Sequence, residues 1–270
     1  MEEVRDGAYR RTARAGGEAL VVELRPGPGG AHLRAEGGGN PKEGGLERGA
    51  RLLLDLDADP AAVSEALGAD ELLRPLVRAR PGLRVPGAWD GFELAVRAVL
   101  GQQVSVPAAR TLAARICAEL GEPLGAVAGS LTRLFPSPAA LARVELAGMP
   151  GSRARAVRAL AAAVAAGLRI EPGRDPGAVR AALLELPGIG PWTVEYVAMR
   201  ALGDRDAFPA GDLVLRRALG GASEAEALVR AEAWRPFRAY AAMHLWTASG
   251  AQAGAPVSSS EARSSRTFSR

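Results

Sequence analysis

The chain has 270 residues, with 34 Lys+Arg against 30 Asp+Glu, a formal net charge of +4 and a single cysteine, Cys117. One cysteine excludes an intrachain disulfide framework and any zinc or iron–sulfur site built from several thiolates. Lys42 is the only lysine, so Schiff-base chemistry would have to come from one amine in a Gly-rich loop.

The hydrophobic fraction of 48% is that of a globular protein, and the length fits one large domain or two smaller ones. No run of roughly 18 apolar residues is present. The opening Met1–Asp6 lacks the basic-then-apolar order of a signal peptide, which makes a cytoplasmic protein the expectation. The excess of basic groups permits nucleic acid as a partner without demanding it.

In chain order, Ala19–Leu24 and Ala31–Ala35 read as strands between the Gly-rich segments Gly27–Gly30 and Gly37–Gly45. Leu52–Leu56 is a further short apolar run. Asp59-Pro60 then opens a helix, with Asp as the cap and Pro at the first position. From about Leu83 the pattern is helical. Helices are expected over Trp89–Leu100, Ala108–Leu120 (stopped by Gly121), Ser137–Leu146, Arg153–Leu168 and Ala178–Leu184. Four more are expected over Trp192–Leu202, Leu213–Leu219, Glu224–Trp234 and Phe237–Thr247. The Ser/Ala/Gly/Arg segment Ala251–Arg270 reads as a disordered tail. The division is therefore an α+β unit over residues 1–83, a helical unit over 84–250 and a tail over 251–270.

The most informative stretch is Leu186-Pro187-Gly188-Ile189-Gly190-Pro191-Trp192-Thr193. One helix ends, two glycines make a tight hairpin, and the next helix begins at once. Its free N–H groups form an anion site able to grip a DNA phosphate without reading the base. An ordinary helix–turn–helix connection has the same look. About twenty residues on, Asp212 follows a Pro/Gly loop and immediately precedes a helix, where it can cap that helix, serve chemistry, or both.

Leu-Pro-Gly-Ile-Gly followed by this loop Asp resembles the helix–hairpin–helix superfamily of DNA glycosylases. Two further stretches, Phe92–Val106 with its core Leu100-Gly101-Gln102-Gln103-Val104-Ser105-Val106, and Tyr240–Trp246, look like the bacterial 3-methyladenine DNA glycosylase II family. The resemblance runs from about Tyr9 to Gly250. It implies an α+β fold: a small N-terminal mixed domain, similar to half of a TATA-binding protein, before an all-helical glycosylase core. It implies a monomeric enzyme that flips alkylated purines out of double-stranded DNA and hydrolyses the N-glycosidic bond, with no membrane role.

By the same match Asp212 stabilises the positive charge that develops on the sugar. Trp192, Tyr196 and Trp246 surround the base, whose cationic ring is attracted to aromatic faces, although core packing is the commoner use of such residues. Gln102, Gln103, Gly188, Ile189, Gly190 and Thr193 face DNA. Gln103 stands where the best-known members carry a leucine wedge. Strand-cutting relatives have a lysine at the position of Trp192, so a glycosylase without lyase activity is expected. No cofactor is expected beyond a monovalent cation on the carbonyls of Leu184, Leu186 and Ile189. His244 is expected to be a satisfied core residue, Trp89 and Trp234 to pack, and Arg216 and Arg217 to be solvated. Two other readings are a DNA-binding module without chemistry and a glycosylase for other damaged bases. A fused alkyl-transfer domain is not expected within this length.

Overall fold

The computed structural model describes residues 1–37, 45–125, 129–146 and 148–250. The expected tail Ala251–Arg270 and Lys42 lie outside the described residues. Four strands come first: β1 (Glu2–Arg5), β2 (Ala8–Ala15), β3 (Glu18–Gly27) and β4 (Gly30–Gly37), in an antiparallel meander of order β1-β2-β3-β4. Period-2 patterning reveals only β3 and β4. In β2, Tyr9-Arg10-Arg11-Thr12 reads as polar, yet Arg11 and Thr12 are buried, with Arg11 opposite Val22 in the register. Charges that find partners inside the protein hide the strand from hydropathy.

One face of the sheet carries Ala13, Ala15, Leu20, Val22 and Leu24 against Leu46 and Ala50 of α1 (Leu46–Leu53). The other face puts Val21 against Leu124, Leu131 and Leu134. The apolar run Leu52–Leu56 is the end of α1 and the turn after it, where Asp55 is left-handed at φ 50°.

Next come α2 (Pro60–Gly68), α3 (Arg74–Ala79), α4 (Gly91–Leu100), α5 (Val106–Leu120), α6 (Pro138–Arg143) and α7 (Gly151–Ala165). They are followed by α8 (Pro176–Leu184), α9 (Pro191–Ala201), α10 (Leu213–Ala218), α11 (Glu224–Ala231) with one 3-10 turn, and α12 (Arg238–Ala248). Apart from α3, which was not expected, and α6, which stops at Arg143 short of Leu146, these match the expected helices, because side-chain caps at Asp59, Asp90, Ser105, Ser137, Asp175, Asp212 and Ser223 fix where most begin. Gly121 does not end α5 by a left-handed cap, since its φ is −69°. It is needed because a Cβ there would lie 2.4 Å from the carbonyl oxygens of Cys117 and Leu134.

Helix α4 packs against α5, α7 and α9, at the centre of a single helical core. Val63, Leu67, Leu73 and Val77 of α2 and α3 join that core rather than the sheet. Helix α12 is buried from Ala239 through Trp246, apolar nearly all round, as a helix at the centre of a bundle must be. Arg11 links the two parts. It pairs with Glu93 of α4 at 2.7 Å, both side chains being less than a tenth exposed, and its guanidinium lies 5.7 Å from the Trp89 ring centroid.

Candidate active site

The hairpin between α8 and α9 is closed by the Ile189 N–H, which donates to the Leu186 carbonyl at 3.2 Å. Gly188 takes φ 78°, and a Cβ there would lie 2.9 Å from the Ala156 Cβ of α7, so both conformation and space require glycine. Pro187 and Gly188 are exposed at the tip. The Ile189 side chain turns inward and is buried, leaving only its backbone to the surface side of the turn. Gly190 caps α9 in an extended conformation with open space where a Cβ would be, and Pro191 takes the first helical position, where no N–H is needed. Thr193 is buried, and its hydroxyl accepts from the Gln102 amide at 3.0 Å. The carbonyl of Leu186 keeps a second lone pair beyond its turn hydrogen bond. Leu184 is half-exposed at the end of α8.

Because α9 starts directly after the hairpin, Trp192 and Tyr196 stand one turn apart on the same face. Their rings stack with centroids 5.3 Å apart and planes 5° from parallel. Trp246 comes from the buried end of α12, and Asp212 from the cap of α10, which packs on α12. The Asp212 side chain is buried, with four N–H donors around it. Oδ1 accepts from the backbone of Val214 and Leu215 at 2.9 and 3.0 Å and from the Trp246 indole at 3.0 Å; Oδ2 accepts from the Trp192 indole at 3.0 Å. Asp212 is thus a helix cap and a carboxylate held between two indoles at once. Cap donors alone would fix one oxygen; the indoles fix the plane and leave one oxygen with a single N–H donor.

The loop carrying Asp212 is braced from behind. Arg180 bridges Glu195 and Asp204, each at 2.7 Å, and Glu195 accepts the Phe208 N–H at 3.1 Å. Arg200 was not anticipated from the sequence. It donates to the Tyr196 hydroxyl at 3.0 Å, and its guanidinium lies 5.5 Å from that ring's centroid. Its spacing of four from Tyr196 was the available signal. Arg153 was also missed; it donates to the Gln102 carbonyl at 2.5 Å. Gln103 is exposed and left-handed at φ 56°.

His244 is a core residue, but not a satisfied one: it is buried, and its Nδ1 has no hydrogen-bond partner among the described residues. Burial, and the nearby positive charge of Arg80, hold its pKa down to about 4. Trp234 packs as expected, edge-on to Phe208, with its indole donating to Asp70 at 2.9 Å. Arg216 is tied to the Ala222 carbonyl at 2.8 Å, while Arg217 is exposed. Among the described residues no group of three or more His, Cys, Asp or Glu side chains is placed to hold a metal ion, and no helix is long and apolar enough to cross a membrane.

Residues 1–90 match the AlkA N-terminal domain, and residues 96–237 match the HhH-GPD superfamily base excision DNA repair protein family. DNA-3-methyladenine glycosylase 2 of Escherichia coli is 36% identical over 262 residues, covering 93% of this chain and 89% of that protein. The "Probable bifunctional transcriptional activator/DNA repair enzyme AlkA" of Mycobacterium tuberculosis is 48% identical over 255 residues, covering 91% of this chain and 51% of that protein. The chain therefore spans about half the length of that relative. A 3-methyladenine DNA glycosylase structure from Archaeoglobus fulgidus superposes with a TM-score of 0.80 at 24% identity, covering 92% of this chain and 89% of that one. With its sheet domain, its hairpin and its buried loop aspartate, the chain belongs to the HhH-GPD superfamily of base excision DNA repair proteins, preceded by an AlkA-type N-terminal domain.

Proposed function

We propose that this protein is a monofunctional DNA glycosylase that flips alkylated purines out of double-stranded DNA and hydrolyses the N-glycosidic bond, leaving an abasic site. The observation that carries the proposal is the Asp212 carboxylate, buried and gripped by the indoles of Trp192 and Trp246 beside the stacked ring of Tyr196. Relatives named DNA-3-methyladenine glycosylase support the substrate class.

Cleavage of the C1′–N bond leaves the bonding electrons on the base and positive charge on the sugar. A fixed carboxylate stabilises that charge without reorganising at the moment of reaction, and water completes the substitution at C1′. The aromatic faces of Trp192, Tyr196 and Trp246 attract a purine made cationic by ring alkylation, worth about 0.5–2 kcal/mol per contact. The backbone of Gly188, Ile189 and Gly190 grips a phosphate, and Gln103 fills the space the flipped nucleotide vacates. The carbonyls of Leu184, Leu186 and Ile189 are the donors a monovalent cation would use at the hairpin, and the protein acts as a monomer with no other cofactor. Trp192 stands where a lyase would carry its amine, so that position offers no nucleophile for a Schiff base.

The test is incubation with methylated DNA followed by chromatography of released bases, with Asp212→Asn as control. Released methylpurine in the first and none in the second is expected. The treated DNA, run on a gel before alkali, is expected to be unbroken, and breaks at that stage contradict the absence of lyase activity.

A further inference from the structure

The loop joining α4 to α5 holds three residues in a row with different fates. Gly101 closes α4 by donating to the Arg97 carbonyl at 2.9 Å. Gln102 turns its amide inward, and Gln103 projects outward. The Gln102 Nε2 donates to the Gly188 carbonyl at 3.1 Å and to the Thr193 hydroxyl at 3.0 Å, so both of its amide protons are engaged. The Gln102 backbone carbonyl accepts from Arg153 of α7 at 2.5 Å. Gln102 therefore ties the end of α4 to the hairpin, to the first turn of α9 and to α7. An amide so engaged has no donor left for a base or a phosphate.

Gln103, next in the chain, has φ 56°. Among the described residues the other non-glycines at positive φ are Asp6 and Asp55. Aspartate visits that region readily because its short side chain bonds locally, whereas glutamine gains nothing there. Such a conformation persists only where the surroundings over-determine it. The surroundings are the contacts of Gln102 on one side and the Ser105 cap of α5 on the other.

We infer that Gln102 is a positioning residue. It holds Gln103 in the left-handed conformation and fixes the distance between that side chain and the phosphate-gripping hairpin, so that one rigid unit delivers the wedge and grips the strand. The inference rests on the glycosylase reading for its chemistry, but the geometry it invokes is separable. Gln102 acts on the duplex through Gln103 and not through the chemistry at Asp212. Its loss weakens extrusion of a stacked, paired nucleotide far more than release from a strand that has no partner to invade.

The experiment compares single-turnover release of methylated purines from duplex DNA with release from the same methylated strand alone. Gln102→Met keeps length and volume and removes both donors. Gln103→Gly keeps the left-handed backbone at no steric cost and removes the side chain. Each is expected to lower the ratio of duplex to single-strand rates by about tenfold or more. The double variant is expected to be no worse than Gln103→Gly alone, because the two act as one unit. Thr193→Val, which removes one of the two acceptors, is expected to fall between. It takes over the test if Gln102→Met melts far below the unsubstituted protein. An unchanged ratio, equal losses on both substrates in a folded variant, or additive losses in the double variant overturns the inference.

A protein that releases no base from either substrate ends the glycosylase reading alone. Positioning is then read from 2-aminopurine fluorescence in bound duplex. An enhancement lost in Gln102→Met supports the inference, and an enhancement that persists overturns it.

Discussion

The Trp192 indole donates to Oδ2 of Asp212 at 3.0 Å, so the stacked Trp192–Tyr196 pair and the carboxylate move as one piece. Asparagine at 212 keeps an acceptor for the helix cap and for Trp246, but sets an amide N–H against the Trp192 N–H, and two donors cannot pair. Asp212→Asn is therefore expected to lose on the order of 10³-fold in base release or more, and to change the tryptophan emission as Trp192 is released. Trp192→Phe keeps the stack on Tyr196 and removes only the donor, and should lose less. Single-turnover assays on methylated DNA check both. Near-normal release by Asp212→Asn sinks the catalytic assignment.

The two hairpin glycines should respond differently to alanine. At Gly188 the φ of 78° and the 2.9 Å approach to Ala156 both oppose a Cβ, and Gly188→Ala is expected to cost about 1–3 kcal/mol in urea melts. At Gly190 the backbone is extended and the space is open, so Gly190→Ala should melt like the unsubstituted protein. A weaker affinity of Gly190→Ala for duplex DNA would then report close approach of a strand rather than damage to the fold.

Arg11 and Glu93 join sheet to helices as a buried ion pair. Removing one partner leaves a charge with reduced compensation, although Arg97 also donates to Glu93 at 2.9 Å. Arg11→Leu is expected to cost about 3–5 kcal/mol. The double variant Arg11→Leu/Glu93→Leu should recover much of that, because desolvation of both charges is removed together. Denaturant midpoints decide it, and a single variant as stable as the unsubstituted protein would show the pair to be dispensable.

His244 gives the stability a definite pH signature. Its pKa is held near 4 in the folded protein against 6.5 for a free imidazole, so between those values the unfolded chain binds a proton that the folded one refuses. The contribution is complete below about 4 and absent above about 6.5, and its sign is destabilising in acid. Folding is expected to lose on the order of 3 kcal/mol from this group as pH falls through that window. His244→Leu should remove that slope, so its stability relative to the unsubstituted protein rises on acidification. Parallel curves for the two proteins would contradict this.

Much of the helical core was legible from its local signals. Capping residues at Asp59, Ser137 and Asp212 lie next to the helices they start, and the apolar spacing within each helix is a local property of the chain. The hairpin Gly188–Gly190 and the capping position of Asp212 are local in the same way, whereas a role for Asp212 beyond the cap and for Trp192 and Tyr196 rested on the family resemblance. The first two strands could not, because Arg10 and Arg11 look solvated until Glu3, Glu23 and Glu93 are brought beside them. The membership of α2 and α3 in the helical core was equally hidden, since it depends on contacts with α12 far along the chain.

The sequence by itself determined most of the helices and the hairpin, which follow from patterns a few residues long, while the grouping of Trp192, Tyr196 and Trp246 came from a family resemblance that no short pattern carries. Only the tertiary structure decided what those residues do to one another. It brought Trp246, thirty-four positions away, onto Oδ1 of Asp212. It also tied the Gln102 amide across eighty-six and ninety-one positions to Gly188 and Thr193. The reason is physical: a donor's partner is fixed by where the packed helices place the acceptor, and no local period encodes that distance.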